Sequence, residues 1–217
     1  MATTVAIKSD HTFHPVLRIL ARVISYIFHP LFIPLYVILF MLFEIRTFPD
    51  KTEWQKTLVF IQFLVSYTLL PLITILLMKA LGFVQSVYLK TQKDRILPYV
   101  VSQIYYFWAW YVSKNVAYPK IVVLFALAVF IASCLGLIFN SYLKISMHAI
   151  PVGVVVALSI VIGMFSSHNY GPYISIALLV AGLTCTARLI DSNHSTKEVY
   201  IGFFTGALAL VLAYLFV

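Results

Sequence analysis

Twelve residues, Ala187-Arg188-Leu189-Ile190-Asp191-Ser192-Asn193-His194-Ser195-Thr196-Lys197-Glu198, carry an arginine, a histidine and two carboxylates between two strongly apolar segments. If the chain is helical from His194 onward, His194 and Glu198 stand four apart on one face. A carboxylate so placed can accept the proton of one imidazole nitrogen, fix the tautomer and leave the other nitrogen as a nucleophile. Arg188, six residues earlier, offers a planar fork of donors suited to phosphate oxygens. Taken alone, the cluster suggests a nucleophile beside an anion-holding arginine. The plainer alternative is a basic loop beside the membrane with a hydrogen-bonded histidine.

Two further polar patches interrupt the apolar sequence. One, over residues 88–98, holds Lys90, Lys93, Asp94, Arg95 and Pro98; the other, over 140–149, holds Lys144, Ser146 and His148. Lysines alone are explained by topology. His148 and His194, each at the start of an apolar segment beside a hydroxyl or carboxylate, are not, and ionisable residues at membrane depth are functional suspects.

The elements that must position these patches are membrane spans. The 217 residues are 62% hydrophobic and 10% charged, with mean hydropathy +0.99. A soluble domain of this size could not cover so much apolar surface. The sequence therefore reads as an all-α, polytopic bundle of about seven (six to seven) spans in a single membrane domain over 19–217. Residues 1–18 read as a short polar tail. They show no apolar core followed by a cleavage site, so the first span is expected to be the anchor.

The spans are expected near 19–43, 57–83, 96–113, 119–142, a fifth ending near 165, 172–187 and 199–217. The first contains Pro30 and Pro34 and should be kinked or broken; His29 there is expected to serve the broken backbone. Gly202 and Gly206, four apart in the last span, suit close helix packing. Tyr105, Tyr106, Trp108, Trp110 and Tyr111 fit an interfacial aromatic belt. Counting spans brings 90–98, 144–148 and 188–198 to one membrane face.

The net charge of +8 fits anionic headgroups and an anionic substrate; no platform for nucleic acid stands out. Cys134 and Cys185 lie inside apolar runs without metal-ligand spacing and read as packing residues.

In this order, Arg/Lys stretch, Ser146-Met147-His148, then Arg188-x5-His194-x3-Glu198, the chain resembles the type 2 phosphatidic acid phosphatase family, relatives of the vanadium haloperoxidases, over about 88–206. That family reads Lys-x6-Arg-Pro, Pro-Ser-Gly-His and Ser-Arg-x5-His-x3-Asp. Here Ala187 stands for the serine, Glu198 for the aspartate, Met147 for the glycine and Tyr88 for the lysine, and Arg95 meets proline only at Pro98. The resemblance implies a hydrolase of lipid phosphates or isoprenyl pyrophosphates that needs neither metal nor cofactor. His194 would form a phosphohistidine, Glu198 would orient it, and His148 would act as general acid and base. Arg188, Arg95 and Ser146 would hold the phosphate oxygens, with Lys90 or Lys93 replacing the missing lysine. The second expectation is a weak or inactive relative that binds or transports an anionic lipid.

Cation placement gives an expectation for sidedness. Ten of the fifteen lysines and arginines fall on the patch-bearing face and the tail, which puts that face in the cytoplasm of an inner or plasma membrane.

Overall fold

The computed structural model describes residues 13–84, 91–166, 168–191 and 194–217, and among them the chain is helix and connection with no strand. Among the described residues, four helices are long and apolar enough to cross a membrane: Glu53–Ala80, Lys120–Tyr142, Gly171–Asp191 and Thr196–Tyr214. Ile33–Glu44 and Ala149–Phe165 are apolar but shorter. Both the helical class and the membrane character read from composition hold on these helices.

In chain order the α-helices are α1 (Pro15–Ile27), α2 (Ile33–Leu39), α3 (Glu53–Leu64), α4 (Leu70–Ala80), α5 (Gln92–Asn115), α6 (Lys120–Tyr142), α7 (Ala149–Phe165), α8 (Gly171–Asp191) and α9 (Thr196–Tyr214). A π turn, Phe40–Glu44, extends α2, and another, Val65–Leu69, joins α3 to α4. Pro71 has no N–H to return to the turn before it, and the chain widens just there. Helix α1 begins at Pro15, inside the stretch read as the polar tail.

The expected break in the first apolar segment is present. Helix α1 stops at Ile27 and α2 starts at Ile33, with Pro30 between them. Carbonyls freed by the break find side chains: Ile27 O accepts from the Tyr36 hydroxyl at 3.0 Å and Leu31 O from Thr68 Oγ1 at 2.7 Å. Without such donors a broken helix in apolar surroundings would leave carbonyls unsatisfied.

Helix α7 packs chiefly on α9, α5 on α6, and α6 on α9, while α1 lies along α8. The α7–α9 contact is backbone against backbone. A Cβ added at Gly206 would stand 1.9 Å from Ile150 O, and one at Gly153 would stand 2.0 Å from Phe203 O. The Gly202/Gly206 stripe thus packs closely as its spacing suggested, with Gly153 as its counterpart on α7. The start of α5 is pinned to the end of α6 by a reciprocal pair. Gln92 Nε2 donates to Asn140 O at 2.8 Å, and Asn140 Nδ2 donates to Gln92 O at 3.0 Å.

Candidate functional site

Helix α9 begins at Thr196, two residues after the His194 start supposed from the sequence. Ser195 is its N-cap, so His194 lies just outside the helix rather than in its first turn. The expected contact forms all the same, through a capping box. Ser195 Oγ accepts from Glu198 N at 3.3 Å, and Glu198 Oε2 accepts from Ser195 N at 3.0 Å. The same Oε2 lies 2.9 Å from His194 Nδ1. A carboxylate accepts, so Nδ1 carries the proton and Nε2 keeps the lone pair. The His194 side chain is only 4% exposed. Burial pushes its pKa below the usual imidazole range against the pull of the Glu198 hydrogen bond, and Arg95 and Arg188 push the same way as burial.

The six residues between α6 and α7 are held against the start of α9. Ser146 N donates to Glu198 O at 3.2 Å, and the Ser146 carbonyl lies so close to α9 that a Cβ at Gly202 would stand 2.8 Å from it. Arg95, one turn into α5 and 6% exposed, donates through Nη1 to Ile145 O at 2.8 Å. The Gln92–Asn140 pair sets the height at which Arg95 enters. Ser146 is fully buried, and its hydroxyl has no hydrogen-bond partner among the described residues. Such an orphan hydroxyl inside a protein calls for a missing partner.

His148 is the N-cap residue of α7. Its proton affinity is pushed well down by burial, then by the charge of Arg188 and by His29; the Ser25 backbone, within hydrogen-bond reach, opposes this. Arg188, in the last turn of α8, donates through Nη1 to Ser25 Oγ at 3.1 Å. It lies within electrostatic reach of His29, His148, His194 and Arg95. Arg95 in turn reaches Glu198 and His194.

The structure therefore gathers His194, Glu198, His148, Ser146, Arg188 and Arg95 at one end of the bundle. It does not bring Lys93 with them. Lys93 is exposed on α5, two positions from Arg95 and so about 200° round the helix from it. Lys90 falls outside the described residues. Two members were not foreseen: Ser25, on the buried stripe of α1 with Ala21, and His29, whose ring is 5.2 Å from that of His148 and nearly perpendicular to it. The small residues Ala21 and Ser25, four apart among bulky neighbours, were the available signal.

Two guanidiniums, a hydroxyl, an imidazole with a free lone pair and a second imidazole that can carry a proton form a set suited to a phosphate-sized anion. Among the described residues no group of three His, Cys, Asp or Glu is placed to hold a metal ion. A surface depression lined by Phe43, Arg46, Pro49, Glu53 and Lys56 holds none of these residues.

No protein-family model, no curated protein and no solved structure matches the chain.

Proposed function

We propose that the protein is a membrane-embedded phosphatase of lipid phosphates or isoprenyl pyrophosphates, working through a phosphohistidine and akin to the type 2 phosphatidic acid phosphatases. The observation that carries this is the 2.9 Å contact of His194 Nδ1 with Glu198 Oε2, made beside Arg95 and Arg188. It turns the Nε2 lone pair into the available nucleophile.

In this reading the phosphoryl group sits between Arg95, Arg188 and Ser146. His194 Nε2 attacks phosphorus, and the bond to the leaving oxygen breaks as His148 gives that oxygen a proton. Water, deprotonated by His148, then displaces His194 and releases phosphate. Glu198 keeps Nδ1–H hydrogen-bonded throughout, which stabilises charge on the ring. The lipid tail stays in the bilayer, which suits a site at one end of an apolar bundle. The proposed topology is about seven crossings, with α1 and α2 together forming the first. The site-bearing end is proposed to face the cytoplasm.

The test is phosphate release from a panel of lipid phosphates and pyrophosphates, with acid quenching to trap the covalent intermediate. Wild type should release phosphate and retain label on protein; His194→Ala should do neither. Equal trapping in both would reassign the nucleophile.

A second reading has its own support. Met147 stands where the resembled family has glycine, and Arg95 already gives one N–H to Ile145 O. Both favour a site that holds an anionic headgroup without turning it over. Headgroup binding by wild type without any hydrolysis would select this reading.

A further inference from the structure

The break between α1 and α2 contributes more to the site than backbone repair. His29 sits in that break, and its Nδ1 accepts from Leu31 N at 3.3 Å, which leaves the proton of the neutral ring on Nε2. Its carbonyl takes both Phe32 N, at 2.8 Å, and Ile33 N, at 3.1 Å. The residue is therefore held at its side chain and its backbone. This fixed ring lies 5.2 Å from His148, at an interplanar angle of 87°. The contact is edge to face, the arrangement aromatic rings favour. One turn earlier on α1, Ser25 accepts from Arg188 and its backbone faces His148.

We infer that His29 is a positioning residue of the site: its ring, locked in the α1–α2 break, fixes the orientation of His148 and shields it from water. The inference rests on the acid–base role given to His148 above. Four segments reach His148, each with a different group. The α1–α2 break gives the His29 ring, α1 the Ser25 backbone, α8 the Arg188 charge, and the segment before α9 gives His194. Among the described residues only His29 stands in ring-to-ring contact with His148. Removing it opens the site to water while leaving both guanidiniums in place.

The experiment has two readouts on the full chain in detergent. Histidine-labelled protein is titrated by NMR, with His148 assigned by its loss in His148→Asn, and the pH profile of phosphate release is recorded alongside. His29→Ala should raise the His148 titration midpoint by about one pH unit or more, because hydration favours the charged ring. The limb of the activity profile set by His148 should move with it. His29→Phe, which keeps a ring, should shift the midpoint much less. If His29→Ala does not fold, His29→Gln takes its place with the same expected rise. An unmoved midpoint in the folded Ala or Gln variant overturns the inference, and so does a Phe variant that shifts as far as Ala. The titration needs no turnover. Failure of the phosphatase reading therefore appears as absent hydrolysis, separately from the behaviour of His148.

Discussion

Glu198 Oε2 holds His194 and the start of α9 at once, lying 2.9 Å from His194 Nδ1 and 3.0 Å from Ser195 N. One oxygen thus carries a helix cap and a tautomer. The two roles separate by substitution. Helix α3 shows that glutamine serves the same cap, since Gln55 Oε1 accepts from Thr52 N at 2.9 Å. Glu198→Gln should therefore keep the thermal midpoint close to wild type while lowering phosphate release on the order of 100-fold or more, because the neutral amide stabilises the charged ring poorly. Glu198→Ala should lose the cap as well, at about 1 kcal/mol. Thermal unfolding and rate measured on both variants check this, and a Gln variant as unstable as Ala would tie the residue to folding alone.

Acid should weaken the fold. Burial lowers the proton affinity of His148 and His194 in the folded state, and Arg188 adds to it. An unfolded imidazole titrates near about 6.5. Below that pH the unfolded chain binds more protons than the folded one, so stability falls as pH falls until the folded rings are themselves protonated. Unfolding midpoints in detergent should drop between pH 7 and pH 5. In His148→Asn the drop should be shallower. An equal slope in both would remove His148 from the linkage.

The α7–α9 contact predicts a sharp difference between glycines. Gly206→Ala must push Cβ into Ile150 O, 1.9 Å away, and should destabilise by about 1–3 kcal/mol or more. Gly182→Ala meets nothing within 4 Å and should be neutral or stabilising by up to about 1 kcal/mol. Retained label or activity after heating, compared for the two variants, reads out the difference.

Sidedness is open to a direct test. If the site-bearing end faces the cytoplasm, an odd number of crossings leaves the C-terminus outside. Alkaline phosphatase fused after Val217 should then be active and green fluorescent protein dark. The reverse outcome would put the site outside and assign the excess cations to substrate rather than topology.

Most of the helical frame was legible because lipid-exposed and buried faces alike must be apolar, so the four long apolar helices announce themselves by composition. The break at Pro30 and the Gly202/Gly206 approach were legible for local reasons: a missing N–H and a missing Cβ. The true start of α9 is written in Ser195-x-x-Glu198, a capping signature that overlaps the His194–Glu198 spacing. Lys93 had the right charge but the wrong side of α5, which two positions of helix rotation already implied. Ser25 and His29 were different. Their place in the site comes from α1 lying along α8, a tertiary pairing with no local trace beyond the Ala21–Ser25 stripe.

The bond from Ser146 N to Glu198 O has a consequence for how the protein is made. Ribosomes deliver α6 and α7 before α9, so the segment between them emerges without its partner strand of contacts. Until α9 enters the bilayer, Ser146 N lacks its acceptor, His194 lacks Glu198, and α7 has no backbone to receive Gly153. Assembly of the site-bearing end thus waits for α9, and a chain stalled or clipped before it carries the earlier helices without a finished site.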